Sequence, residues 1–193
     1  MQKTQTTKPK RFELEIKGLG EYIPPRKAKR GSIGYDLAVP EDVHIPAHSR
    51  TVVKLNFAIN LPVNYEAKIE PRSGFSSRGI EGYGTKYIRK KIFGLFSRKE
   101  EVSGKMNFDA DVLPGKVDPN YTDSVGVIIR NNDEAFTIRK GTRIAQMTIY
   151  RTTPVWFVPV EELTCQSRGG GFGSSGSSVT EPNEPKADEE SSR

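Results

Sequence analysis

Apolar residues recur along this chain in short bursts, about ten residues apart, with Pro, Gly and Asn between them. Phe12-Glu13-Leu14-Glu15-Ile16 alternates apolar and acidic positions, the period of a half-exposed strand. Gly18, Gly20, Pro24 and Pro25 break that pattern, and a basic loop runs on to Gly31. Ser32 to Leu37 predicts the next strand, with Asp36 set between apolar neighbours. From Val43 to Leu61 the pattern predicts two strands, Val43–Ile45 and Thr51–Ile59, joined by the turn Pro46-Ala47-His48-Ser49. Leu61-Pro62-Val63-Asn64 turns the chain into Tyr65–Ile69. Val125–Ile129, Phe136–Ile138 and Gly141–Ile149 continue the rhythm towards the C-terminus. Many short strands with turn chemistry between them predict an all-β sandwich or barrel.

Residues 81–107 interrupt this rhythm. The segment carries seven Lys/Arg against three Glu, with Tyr87, Ile92, Phe93, Leu95 and Phe96 among them. It is expected to be an inserted basic hairpin or short helix, and periodicity does not choose between the two. Such a segment is either a tolerated surface loop or a docking element for a protein partner.

Composition narrows the setting. Only 34% of the 193 residues are apolar, so either the tails are disordered or the core is completed by partner subunits. Residues 1–10 are expected to be a disordered basic N-terminus, 11–166 the folded domain and 177–193 a disordered tail. Nine Lys/Arg against three Glu in residues 1–30 match the whole net charge of +6. No regular aromatic interleaving accompanies those cations, which points to solvated charge or a polyanionic small molecule rather than specific nucleic acid. The lone Cys165 excludes an internal disulfide, and no apolar run reaches the roughly 20 residues that span a bilayer. A soluble, cytoplasmic protein with no membrane partner is expected.

Five stretches carry candidate chemistry. Leu113-Pro114-Gly115-Lys116-Val117-Asp118-Pro119-Asn120-Tyr121 makes two tight turns around a short strand. It holds a carboxylate, Asp118, on a rigid corner with an aromatic ring three residues on, an arrangement suited to a general base beside a ring-shaped substrate. Pro71-Arg72-Ser73-Gly74 offers a cation, a hydroxyl and a flexible backbone to phosphate oxygens. Asp36 needs a cation or a metal-bound water if it is buried, and is otherwise a turn cap. Arg143 and Gln146 stand among apolar residues of the last strand. Arg168 to Gly176, Gly-rich around Phe172, is a linker or an arm able to order over a phosphorylated, ring-bearing ligand. His44 and His48 have no acidic or cysteine ligands in register and are read as surface residues.

In content and order these stretches resemble the five motifs of the trimeric dUTPases: Ile33–Leu37, Pro71–Gly74, Gly115–Tyr121, Arg143–Gln146 and the Phe172 arm. The resemblance implies a jelly-roll β-barrel of the β-clip type, assembled as a homotrimer with three sites shared between subunits. It implies hydrolysis of dUTP to dUMP and pyrophosphate with Mg²⁺, keeping uracil out of DNA and supplying dUMP for dTMP synthesis. By the same resemblance Asp118 activates water for attack on the α-phosphorus. Tyr121 excludes a 2′-hydroxyl, and Val112, Gly115, Lys116 and Val117 line the uracil-reading hairpin, mostly through backbone groups. Arg72, Ser73, Gly74 and Gln146 hold phosphates, and Asp36 steadies the Mg²⁺–triphosphate through water. In the arm, 167–176, Phe172 closes on the uracil, Arg168, Ser174 and Ser175 take the terminal phosphate, and Gly173 is a further substrate-binding position.

The sequence departs from the family pattern at the 81–107 insertion, at Val112, where many relatives carry Asn, and at Ser167, where the arm's arginine usually stands. Two alternatives remain. One is a catalytically weak regulatory protein on the same scaffold. The other is a dCTP deaminase, whose glutamate-based site finds no acid in Gly126-Val127-Ile128-Ile129.

Overall fold

The computed structural model describes residues 12–92 and 96–166. The chain divides into two units, Met1–Pro154 and Val155–Arg193. The first unit is built almost wholly from antiparallel strands: β1 (Glu15–Gly18), β2 (Tyr35–Ala38), β3 (Val43–Ile45), β4 (Arg50–Lys54), β5 (Phe57–Asn60), β6 (Tyr65–Pro71), β7 (Ile80–Ile92), β8 (Phe96–Phe108), β9 (Ala110–Leu113), β10 (Gly115–Val117), β11 (Gly126–Asn131), β12 (Phe136–Ile138) and β13 (Arg143–Arg151). One short helix, α1 (Ser73–Arg78), sits between β6 and β7. The ladders run β10-β6-β13-β2, β4-β11-β9, β3-β12-β7-β8 and β1-β5.

The two faces of β11 differ in burial. Along β11 the side chains of Val127, Ile129 and Asn131 point inward and their neighbours outward. Leu37, Ile69, Phe108, Ile129, Phe136 and Ile144 meet in one core, each contributing roughly 1.5–3 kcal/mol by leaving water. Phe108 and Phe136 stack with ring centroids 4.3 Å apart. Asn131, the buried polar residue of β11, is fully used. Its Nδ2 donates to the carbonyls of Pro46 (2.8 Å) and Glu134 (3.0 Å), and its Oδ1 accepts the Asp133 amide at 3.0 Å.

The expected single strand Thr51–Ile59 is two strands in different sheets. Asn56 adopts φ 57°, a left-handed conformation that Asn tolerates, and the chain leaves β11 to pair with β1. Its amide N–H donates to the Ser124 hydroxyl at 3.0 Å, which fixes the switch point. The sequence pattern does not predict the helix α1, because Ser-Gly-Phe-Ser-Ser-Arg has no helical apolar period and buries no residue. Gly79 ends it at φ 78°, where an added Cβ would lie 2.0 Å from the Phe108 carbonyl oxygen. The first strand begins later than the Phe12–Ile16 pattern suggests. Phe12 instead stacks on Tyr65 at 4.9 Å.

The basic segment 81–107 is a hairpin, not a helix. β7 and β8 pair from Ile80↔Phe108 to Ile92↔Phe96. Its base belongs to the barrel, since β12 pairs with β7 at Tyr83 and Gly84. At Gly84 there is no room for a Cβ, which would lie 2.8 Å from the Phe108 ring and 2.7 Å from the Ala135 carbonyl.

In the second unit, residues 155–166 form no strand or helix. Val155, Trp156, Phe157, Val158, Val160 and Leu163 all face water, Trp156 at 92% and Phe157 at 94% exposure.

Candidate active site

β2, β13 and the β6–α1 corner converge on a carboxylate. Asp36 on β2 lies opposite Gln146 on β13, and Gln146 lies opposite Glu70 on β6. The Asp36 side chain is 12% exposed and accepts from two arginines, Arg72 Nε at 3.2 Å and Arg143 NH1 at 2.9 Å. Both carboxylate oxygens are thus engaged by cations, as a half-buried acid requires. Arg72 is held further. Its NH1 donates to the Arg143 carbonyl at 3.2 Å, and its guanidinium lies over the Phe75 ring at 5.6 Å. The partner of Asp36 is therefore an arginine pair contributed by two other expected motifs.

A cleft of about 660 Å³ opens beside this cluster, lined by Gly34, Arg72, Ser73, Gly74, Arg78 and Gln146 among others. A second, of about 610 Å³, shares Arg72, Gly74 and Arg78 and continues past Lys140 and Arg143. Each glycine has a local reason. A Cβ at Gly34 would sit 3.0 Å from Gln146 Oε1, and one at Gly74 would sit 3.1 Å from an Arg78 nitrogen. The small residues let Gln146 and Arg78 lie across the backbone beside the cleft. Planar guanidiniums beside exposed hydroxyls and half-free backbone suit an oligophosphate.

The second expected element stands apart. After β9 the chain crosses at Pro114 from one sheet to the next and pairs as β10 with β6, Gly115 opposite Ile69. Val112 and Val117 are buried in the core, so neither side chain can touch a ligand, and only their backbone remains available. Gly115 has no positive φ, and an added Cβ would meet only Ile69, at 3.8 Å. Its own fold does not need a glycine there, so the space it leaves is free for something outside the chain. Lys116 is committed within the chain: its Nζ binds Glu66 Oε2 at 2.7 Å. That hydrogen bond, with the charges of Glu66 and Asp118, raises the Lys116 pKa, and the same bond lowers that of Glu66. Asp118 is exposed, and its carbonyl accepts the Tyr121 amide at 3.3 Å. Asn120 turns the corner at φ 67°, and Tyr121, 42% exposed, donates its hydroxyl to the Ser124 carbonyl at 3.3 Å.

Register measures the gap between the two elements. Gly115, Ile69, Met147 and Tyr35 lie in one row across β10, β6, β13 and β2. Three strand spacings are about 14 Å, and the Asp118 position lies about four residues along the strands from that of Asp36, so by ideal strand spacing their backbones stand roughly 19 Å apart. Within one chain, therefore, Asp118 and the Arg72–Asp36–Arg143 cluster do not meet. Arg168, Phe172, Gly173, Ser174 and Ser175 lie outside the described residues.

Sequence reasoning assigns no role to Arg78 or Arg143. Arg143 has a signal, its place beside Gln146 in an expected motif. Arg78 has none, because nothing in the pattern announces the helix that carries it. His44 and His48 lie on β3 and in its following turn, and among the described residues no group of three His, Cys, Asp or Glu is placed to hold a metal ion.

An antiparallel jelly-roll barrel with a basic, arginine-lined cleft defines an oligophosphate-binding β protein. The family model for dUTPase matches residues 21–95 and 102–176. The chain belongs to the dUTPase family. The deoxyuridine 5′-triphosphate nucleotidohydrolase of Thermobifida fusca is 35% identical over 167 residues, 84% of this chain and 78% of that protein. Among solved structures, a Staphylococcus bacteriophage 80alpha dUTPase with dUPNHPP has a TM-score of 0.66 at 23% identity, over 85% of this chain and 98% of that one. A mutant dUTPase from phage phi11 of S. aureus, described for its coordination of a structural Mg(II) ion, has a TM-score of 0.61 at 19% identity, over 80% of this chain and 100% of that one. The family match breaks only over residues 96–101, in the outer part of β8.

Proposed function

We propose that the protein hydrolyses dUTP to dUMP and pyrophosphate, in sites built between copies of the chain. The observation that carries this reading is the separation just described. A general base must come within hydrogen-bond reach of the water it activates, about 3 Å, whereas strand register sets the Asp118 backbone roughly 19 Å from that of Asp36 in the arginine cluster. The two halves work together only if one copy supplies the cleft and another supplies the Gly115–Tyr121 corner. A trimer satisfies this with three equivalent sites. The exposed run from Val155 to Leu163 fits the same reading, since neighbouring copies can cover it.

In such a site the backbone around Gly115 faces the uracil, and the absent side chain there leaves room for the ring. Tyr121 packs on the deoxyribose and leaves no space for a 2′-hydroxyl. Arg72, Ser73, Gly74 and Gln146 hold the phosphates, with Arg78 and Arg143 adding charge. Asp118 accepts a proton from water as the water oxygen bonds to the α-phosphorus, and the bond to the bridging oxygen breaks to release pyrophosphate. Asp36 keeps Arg72 and Arg143 aimed at the chain of phosphates. The donor set fits Mg²⁺ as an ion carried by the triphosphate, because both Asp36 oxygens already accept from arginines and no ligand cluster stands nearby among the described residues. Bound there, it would neutralise charge on the leaving pyrophosphate. Arg168, Phe172, Gly173, Ser174 and Ser175 of the arm are expected to close the site and exclude water.

The test is pyrophosphate release from dUTP, dTTP, dCTP and UTP with Mg²⁺, alongside light scattering. dUTP should be preferred by orders of magnitude, and the active species should have three times the 21.5 kDa chain mass. An active monomer would overturn the shared-site reading. Equal rates on UTP would overturn the role given to Tyr121.

A further inference from the structure

The outer part of the β7–β8 hairpin takes no part in the site described above. Past Gly84 the ribbon continues from Thr85↔Ser103 to Ile92↔Phe96, with no third strand beside it among the described residues. Eight such rungs extend about 26 Å, and an isolated two-stranded ribbon is marginal in water. Its sequence adds to the difficulty. Arg89 stands directly opposite Lys99, and on the next rung Lys90 stands directly opposite Arg98. Like charges facing each other across a strand pair disfavour the ribbon, and here two successive rungs do so. All four side chains are exposed. Glu100 takes Lys90 at 3.1 Å, whereas Arg89, Arg98 and Lys99 have no ion pair among the described residues. A cleft of about 760 Å³ lies along the same stretch, lined by Tyr87, Lys90, Arg98, Lys99, Glu100 and Glu101.

We propose that this ribbon binds duplex nucleic acid without regard to sequence, lying in the major groove with phosphates on both sides. Successive rungs project to opposite faces, so one cation pair looks each way. An acidic protein surface would meet one face and leave the other pair unanswered. A groove flanked by two phosphate-bearing strands meets both. The major groove is about 12 Å wide and admits a two-stranded β-ribbon. The pairing that disfavours the free ribbon then becomes complementary to its ligand, with Arg89 and Lys99 on one phosphate strand and Arg98, beside the Glu100-bound Lys90, on the other.

The experiment measures fluorescence anisotropy of a labelled duplex of about 20 base pairs, with the full chain, across salt concentrations from about 50 mM upward. The wild type should bind with Kd of about 10⁻⁴–10⁻⁶ M, and log K should fall with log salt at a slope of about −3 to −4, for three or four phosphates neutralised. The quadruple variant Arg89→Gln/Lys90→Gln/Arg98→Gln/Lys99→Gln should bind at least tenfold more weakly and lose about three from that slope, while hydrolysing dUTP at the wild-type rate. The charge-retaining Arg89→Lys/Arg98→Lys should keep the affinity, which separates charge from a change in the hairpin. Wild-type binding weaker than about 10⁻⁴ M at low salt would overturn the proposal, as would equal binding by the quadruple variant. Equal affinity for single strands, or for polyglutamate standing in for an acidic protein, would also overturn it, because the ribbon would then be a surface for any polyanion.

Discussion

Asp118→Asn should bind dUTP within a few fold of wild type and turn it over at least 10²-fold more slowly. The substitution keeps size and shape but removes the group able to take a proton from water, and losing a general base removes a factor of roughly 10²–10⁴. Position strengthens the expectation. Pro119 and the left-handed Asn120 fix the corner, the Asp118 carbonyl is tied to the Tyr121 amide, and the residue itself is exposed to solvent. Neither core nor sheet depends on it, so a loss of rate would report chemistry rather than folding. Single-turnover kinetics beside equilibrium binding of a non-hydrolysable analogue make the comparison. A turnover within a few fold of wild type would remove Asp118 from the mechanism.

Asp36→Ala should lower kcat/KM by about 10²-fold, mostly through KM, by freeing Arg72 and Arg143 from the one carboxylate that aims them both. The family resemblance gives Asp36 a different task, steadying the metal through water. The two roles part on one measurement. If Asp36 acts by orienting the arginines, the Mg²⁺ concentration for half-maximal rate stays put while KM for dUTP rises. If it acts on the metal, that concentration rises several fold. Asp36→Asn sharpens the contrast, since an amide oxygen can still accept from one guanidinium but attracts a hydrated cation far less.

Much of this is legible in the sequence alone. Alternation at Val43–Ile45 and Phe136–Ile138 marks strands with one buried face, the apolar run Val125–Ile129 marks a buried one, and the turn residues between them do the rest. The failures have local causes. Thr51–Ile59 reads as one strand since nothing apolar is interrupted, but Asn56 can take a positive φ that redirects the backbone without disturbing the hydrophobic pattern. α1 is too short, and too poor in apolar residues, to leave a periodic trace. Individual motifs are visible, whereas their grouping is not. That Arg143 pairs with Asp36, over a hundred residues away, depends on β13 lying beside β2. That Asp118 stands on the far side of β6 from both depends on a crossover at Pro114. Spacing along a chain carries no information about such distances. Val112 and Val117 fall in the same class, since position in a motif does not reveal which way the side chains turn.

The apolar run beginning at Val155 bears on how stable the molecule is, and not only on how it assembles. A folded chain that keeps Trp156 and Phe157 almost wholly in water forfeits roughly 1.5–3 kcal/mol for each large side chain left uncovered. Covering them on a neighbour recovers that energy only in the associated state, so association favours folding by mass action. Thermal unfolding should then shift upward with protein concentration, and dilution should cost activity and fold together. A chain that associates in this way would acquire its durability only after enough copies have accumulated, and the first few made would be the ones most exposed to proteolysis.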